Sequence, residues 1–264
     1  MKAKIAGGEL EYDVKGQGPA VLFLHAFPLG LVMWDAQARV LAPAHQVIRF
    51  DARGFGGSPP GDGLLTMERI ADDAAALLDH LDVSQAVVCG CSMGGYAAFA
   101  MVRRHADRLR GLILQDTRAG ADGEEARQSR ATLAEKVRKQ GAVAAAEAFL
   151  PRLLGETTHK QQPEVVSLVR EIILSTSPRG IADALAGLSA RADSTTTLRE
   201  IRVPTLVVVG AEDVLTPVEE AEALQRGITG SRLALIPKAG HLSNLENPDA
   251  FNEVLIGFLR ERNT

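Results

Sequence analysis

At 264 residues, with 46% hydrophobic and 23% charged side chains, the chain has the make-up of a globular protein and needs no disulfide staples. A formal net charge of −4 and the lack of a dense Lys/Arg run argue against a nucleic-acid partner. No stretch approaches the roughly 18 apolar residues of a membrane-spanning helix, and Met1 to Ile5 lead into Gly7-Gly8 without a signal-peptide core, so no membrane association and a cytoplasmic location are expected.

In chain order, short strands near Lys4-Ile5 and from Leu10 to Val14, joined through Gly7-Gly8, read as an antiparallel hairpin at a sheet edge. Val21-Leu22-Phe23-Leu24 is apolar throughout, the pattern of a strand covered on both faces of a parallel sheet. Ala86-Val87-Val88, Leu112-Ile113-Leu114 and Leu206-Val207-Val208-Val209 read the same way. Val47 to Phe50 and Leu233 to Ile236 are also strand-like. From Met67 to Leu81, apolar residues at Ile70, Ala74, Leu77, Leu78 and Leu81 predict a helix. Strands alternating with helices imply right-handed βαβ units in an α/β, doubly wound sheet. The alternation lapses between about Arg118 and Glu200, where helices are predicted over Glu124 to Lys139, Ala142 to Leu150, Glu164 to Leu174 and Gly180 to Ala190. Gly141, Pro151, Pro163 and Pro178 are read as the breakers between them. The simplest organisation is a core of residues 1–117 and 201–264 carrying a helical cap, 118–200. Cys89 and Cys91, two apart in one strand, are expected to be buried free thiols.

Gly90-Cys91-Ser92-Met93-Gly94 lies between the Ala86 strand and an Ala-rich helical stretch. This is a G-x-S-x-G nucleophile elbow in its strand–turn–helix setting, which makes Ser92 the candidate nucleophile. Gly90 and Gly94 are expected where side chains would collide and where unusual dihedrals arise. Of six histidines, His241 is the candidate base, because it follows the strand ending at Ile236. His45, His80, His105 and His159 read as surface residues, and His25 as one that shapes the loop after the Val21 strand. Asp213, in the loop after the Leu206 strand, is the leading orienting acid, since the order is Ser, Asp, His; Asp116 and Glu212 remain alternatives. Asp51 and Arg53 are expected to tie down the Gly-rich turn at Gly54 to Gly57. Backbone N–H groups of Met93 and Phe27 are the candidate oxyanion donors. Phe27, Leu29, Met93, Leu215 and Leu242 are expected to line an apolar cleft, with Arg118 or Arg127 as a possible cation over it. No cluster has metal-ligand spacing, so neither metal nor cofactor is expected.

These blocks, His25-Ala26-Phe27-Pro28, Asp51 to Ser58, Gly90 to Gly95, the Asp213 loop and Gly240-His241, together resemble the α/β-hydrolase superfamily over nearly the whole chain. Within the superfamily the chain is similar to small bacterial carboxylesterases and the related 3-oxoadipate enol-lactonases, and Ser92 to Tyr96 and Gln115 to Ala119 resemble the esterase branch in particular. The resemblance implies a mostly parallel eight-stranded sheet with helices on both faces, a helical cap after the sixth strand, a Ser–His–Asp triad and no cofactor. Where the family's oxyanion loop usually reads His-Gly-Phe-Pro, this chain has Ala26, a methyl that is costly only at a positive φ. Ser92 separates it from haloalkane dehalogenases, whose nucleophile is aspartate. The expected activity is hydrolysis of a small-molecule, uncharged short-chain ester. Enol-lactone hydrolysis and cofactor-free perhydrolysis are the enzyme alternatives, and a hydrolase-fold ligand receptor is the non-enzyme one.

Overall fold

The computed structural model describes residues 1–261. Its first two strands, β1 (Lys2–Ile5) and β2 (Gly8–Lys15), form the antiparallel hairpin expected at the edge. There follow β3 (Ala20–Leu24), α1 (Asp35–Leu41), β4 (Gln46–Phe50), α2 (Met67–His80), β5 (Ala86–Cys91), α3 (Met93–Arg104) and β6 (Leu109–Gln115). Five helices then intervene: α4 (Glu124–Gln140), α5 (Val143–Leu153), α6 (Glu156–Gln161), α7 (Pro163–Ser175) and α8 (Pro178–Ser189). The chain closes with β7 (Thr205–Gly210), α9 (Val218–Gly227), β8 (Arg232–Ile236), α10 (Ser243–Glu246) and α11 (Pro248–Arg260).

The eight strands make one sheet in the order β1-β2-β4-β3-β5-β6-β7-β8. β2 pairs antiparallel with both neighbours, and every pairing from β4 to β8 is parallel. The continuously apolar runs are the central strands: β3, β5 and β7 are buried along their whole length, as strands covered on both faces must be. β8, at the outer edge, is partly exposed. The chain leaves β3 first toward β4 and later crosses to β5 on the other side. The strand order therefore reverses between β3 and β5, and open α/β sheets form their crevices outside the carboxyl ends at such a point.

Local chemistry fixes the helix ends. Thr66 accepts the Arg69 amide at the start of α2, and Asn247 accepts the Ala250 amide at the start of α11. Pro163, Pro178 and Pro248 each occupy the first turn of a helix, where a missing N–H costs nothing. Pro151 departs from expectation by lying inside α5, which runs on to Leu153. Its missing N–H forfeits the bond to the Glu147 carbonyl, but only two helical residues follow, so the break falls within the last turn. The short helix α6 has too few apolar residues to show a period, and the sequence pattern does not reveal it.

Candidate active site

The elbow turns tightly at Ser92, which takes φ 52° and ψ −109°. A non-glycine residue there stores roughly 1–3 kcal/mol of backbone strain, held in place by its surroundings. The Ser92 amide donates to the Gln115 carbonyl at 3.0 Å, while the Ser92 carbonyl accepts from the Tyr96 amide at 3.1 Å and from the Thr117 hydroxyl at 3.0 Å. The flanking glycines serve sterically: a Cβ on Gly90 would lie 2.3 Å from the Gly94 carbonyl oxygen, and one on Gly94 would lie 2.1 Å from that of Leu24. Neither has a positive φ, so the unusual dihedrals fall on the serine itself.

His241 reaches this turn from the loop after β8. Its Nε2 is 2.8 Å from Ser92 Oγ, and its Nδ1 is 2.8 Å from Asp213 Oδ2. An ionised Asp213 accepts the proton on Nδ1 and leaves Nε2 free to accept from the serine hydroxyl. Asp213 Oδ1 is turned onto its own chain, accepting the amides of Leu215 at 2.8 Å and Thr216 at 3.0 Å. Burial works to raise the Asp213 carboxyl, but the charge and hydrogen bond of His241 and the bonds from Thr216 outweigh it, leaving its pKa below the ordinary value. Burial works to lower His241, and the charge and hydrogen bond of Asp213, helped by Asp116 and Glu246, raise it net above the ordinary value.

The alternative acids are engaged elsewhere. Asp116, at the end of β6 and completely buried, accepts the Gly210 amide at 2.8 Å and the Ser243 hydroxyl at 2.6 Å. Burial, with repulsion from Asp213, pushes its carboxyl up to about 7. Glu212 accepts from the Thr157 amide at 2.8 Å.

On the β3 side, His25 Nδ1 donates to the Ala26 carbonyl at 2.9 Å, and its Nε2 accepts the Ala52 amide at 3.0 Å. Burial holds His25 below the ordinary imidazole range, which suits this neutral, loop-shaping role. Ala26 has no positive φ, so its methyl is accommodated without strain. Asp51 does fasten the Gly-rich turn, accepting from Gly57 at 2.9 Å and from Leu31 at 2.7 Å. Arg53 does not join it. Its guanidinium forks onto Asp73 of α2 at 2.7 Å for each bond and onto the carbonyls of Ala6 and Gly7. His45, in the connection between α1 and β4, is buried, contrary to its reading as a surface residue.

A cavity of about 660 Å³ opens at Ser92. Phe27, Met93, Tyr96, Leu215, Thr216 and His241 form its floor, and residues of α4, α5 and α8 form the opposite wall. Phe27 packs edge-on against Phe149 of α5, with centroids 5.2 Å apart. Met93 opens α3, so its N–H has no acceptor within the helix. Leu29 and Leu242, expected in the cleft, do not line this cavity; both are fully enclosed in the apolar core. Nor is the cavity simply apolar. Arg118, Arg130, Lys136 and Arg152 line it, with Asp122 and Glu125 as the acidic counterparts. Arg127 lies outside it, in a separate groove between α4 and α8. Asp122 is enclosed by three guanidinium groups, of Arg118 at 3.0 Å, Arg130 at 2.5 Å and Arg191 at 2.7 Å. Among the described residues no group of three or more His, Cys, Asp or Glu side chains could hold a metal ion, and no helix is long and apolar enough to cross a membrane.

Tyr96, Thr216 and the α4 and α5 residues were not singled out by sequence reasoning. Thr216 had a readable signal, since Asp-x-x-Thr after a strand is the spacing of an Asp-capped turn. The cationic residues of α4 and α5 had none, because charges on a helix ordinarily mark a solvated face.

Comparison with known proteins agrees with this architecture. Residues 19–248 match the family described as the alpha/beta hydrolase fold. The chain is 32% identical over 256 residues to 3-oxoadipate enol-lactonase 2 of Acinetobacter baylyi, an alignment covering 96% of this chain and 94% of that protein. It superposes with a TM-score of 0.98 on a thermophilic esterase of Thermogutta terrifontis, solved with malate bound, at 43% identity over the full length of both chains. The enol-lactonase of Burkholderia xenovorans superposes with a TM-score of 0.92 at 32% identity, over 98% of this chain and 100% of that one. Its sheet, its elbow and its sequence together make the chain a member of the alpha/beta hydrolase fold family.

Proposed function

We propose that the protein hydrolyses short-chain carboxylic esters through an acyl-enzyme on Ser92. The observation that carries this reading is the unbroken relay Asp213–His241–Ser92, with 2.8 Å at both links, opening onto one cavity. His241 takes the hydroxyl proton as Ser92 Oγ attacks the carbonyl carbon, then returns it to the departing alcohol. Asp213 holds the tautomer and stabilises the imidazolium. The Met93 and Phe27 amides are the proposed donors to the oxyanion. Water, activated by the same histidine, then cleaves the acyl-enzyme and regenerates Ser92. Residues 118–200 act in this reading as a cap over the site. The names of its relatives, an esterase and two enol-lactonases, support the same ester-cleaving chemistry.

A second reading concerns the substrate. Four basic side chains against two acidic ones on the cavity wall favour an ester or lactone that carries a carboxylate. That departs from the uncharged substrate expected of an apolar cleft. The malate in the esterase structure and the enol-lactonase names are compatible with it.

The test is chemical. An organophosphonate should label the wild-type protein at one serine, and Ser92→Ala should abolish labelling and lower ester turnover by several orders of magnitude. Labelling that persists in Ser92→Ala would overturn the assignment.

A further inference from the structure

Glu246 ends the short helix α10, five residues past His241, and its carboxylate is buried. Its two oxygens face different parts of the chain. Oε1 accepts the amide of Leu242, next to His241, at 3.0 Å. Oε2 accepts the Gly155 amide and the Thr158 hydroxyl of the helical insertion, each at 2.7 Å. From the same helix the Glu246 carbonyl accepts from Gln162 at 3.1 Å.

The start of α6 is thus capped from outside. A helix N-terminus needs acceptors for its first N–H groups, and a Ser, Thr, Asp or Asn usually supplies one. Gly155 stands at that position and offers no side chain. A Cβ there would lie 2.5 Å from Glu212 Oε2 and 2.9 Å from the Gly240 amide nitrogen, while one on Gly240 would lie 2.4 Å from the Gly155 amide nitrogen. The backbones before α6 and before His241 are therefore in direct apposition. The missing cap is replaced by Glu246 and by Glu212, which precedes Asp213 and takes the Thr157 amide at 2.8 Å. The Glu212 amide in turn donates to the Ala239 carbonyl at 2.8 Å, joining the two catalytic loops.

We infer that Glu246 is a positioning residue that makes the placement of His241 depend on docking of the helical insertion. This rests on the reading of Ser92 and His241 as nucleophile and base. If α6 lifts away, Oε2 loses both its donors, and the carboxylate that accepts the Leu242 amide is held from one side only. The insertion then does more than wall the cavity: its position sets the reactivity of Ser92.

Thr158 gives the cleanest test, because it is buried in the insertion and touches Glu246 rather than the catalytic groups. Thr158→Val removes the donor, and Thr158→Ser keeps it. The readouts are the rate constant for phosphonylation of Ser92 by a small organophosphonate, and kcat and KM on an aryl butyrate. Thr158→Val should lower phosphonylation and kcat together by about fivefold or more, with KM within about twofold of wild type. Thr158→Ser should recover to within about twofold of wild type. Glu246→Gln should fall at least as far as Thr158→Val; if it does not fold, the Thr158 pair decides. Equal behaviour of Thr158→Val and Thr158→Ser would overturn the inference. Persistent labelling of Ser92→Ala would instead mark failure of the underlying nucleophile reading.

Discussion

Thr216 donates its hydroxyl to Asp213 Oδ2 at 2.7 Å, the same oxygen that lies 2.8 Å from His241 Nδ1. The threonine oxygen is itself 3.2 Å from Nδ1. This donor shares the carboxylate charge with the imidazole and fixes the rotation of the Asp213 side chain. Thr216→Val keeps the shape and removes the donor. The expected result is a fall in kcat of roughly fivefold to tenfold, the loss of about one hydrogen bond to a charged group, with the fold intact by circular dichroism. An unchanged kcat would mean that the turn amides of Leu215 and Thr216 suffice to hold Asp213.

Exchange of the acid separates the two buried aspartates. Asp213→Asn puts an amide where His241 Nδ1 needs an acceptor, favours the wrong tautomer and removes the charge that stabilises imidazolium. A loss in kcat on the order of 10⁴ is expected, as for the same exchange in a chymotrypsin-like protease. Asp116→Asn should cost roughly tenfold or less, because Asp116 bonds to Gly210 and Ser243 and not to the imidazole. Steady-state kinetics of the two variants decide; the reverse ranking would move the catalytic acid to the end of β6.

The pH profile follows from the same charges. Only neutral His241 can accept the serine proton, and its pKa lies above the ordinary value of about 6.5. Activity should therefore rise with pH through a midpoint above about 6.5, not at it as an unperturbed histidine would give. Ionised Asp116 favours the imidazolium, and with its carboxyl pushed up to about 7 it ionises over the same range. Asp116→Asn removes that attraction, so His241 loses its proton more easily and the acid limb of kcat/KM should move to lower pH. A limb that moves upward, or stays in place, would contradict this electrostatic picture.

The fold was legible because its strands are apolar throughout. Val21 to Leu24 or Leu206 to Val209 can be satisfied only between two layers of helix, and the Gly-flanked Ser92 can only follow such a strand. The floor of the site was legible for the same reason, since Ser92, Asp213 and His241 all follow strand ends. The opposite wall was not. Whether Arg130 or Arg152 faces water or a cavity depends on how α4 and α5 sit over the sheet, a tertiary fact that leaves no periodicity behind. Leu29 and Leu242 failed for a related reason: closeness in sequence to Phe27 and His241 does not set which way a side chain points, and both turn into the core.

Substrate charge is the remaining prediction. Arg118 follows Thr117, whose hydroxyl holds the Ser92 carbonyl at 3.0 Å, so its backbone stands close to Ser92 while its side chain lines the cavity. Its guanidinium shares Asp122 with Arg130 and Arg191, three positive charges against one negative. Two positive charges in that cluster are therefore left without an acidic partner within it. A substrate carboxylate placed near Arg118 would supply one, and a charge-assisted hydrogen bond of this kind contributes about 1.5–3 kcal/mol. Partial exposure of the arginine argues for the lower end of that range. An aryl butyrate and an aryl hemisuccinate share a leaving group and an acyl length of four carbons, and only the second carries a carboxylate. Arg118→Ala should lower kcat/KM for the hemisuccinate about tenfold, mainly through KM, and leave the butyrate within about twofold. Added salt should weaken the hemisuccinate reaction more than the butyrate one, because only the former has an ion pair to screen. Equal losses on both substrates would make Arg118 a structural partner of Asp122 alone, and the neutral short-chain ester would stand as the substrate class.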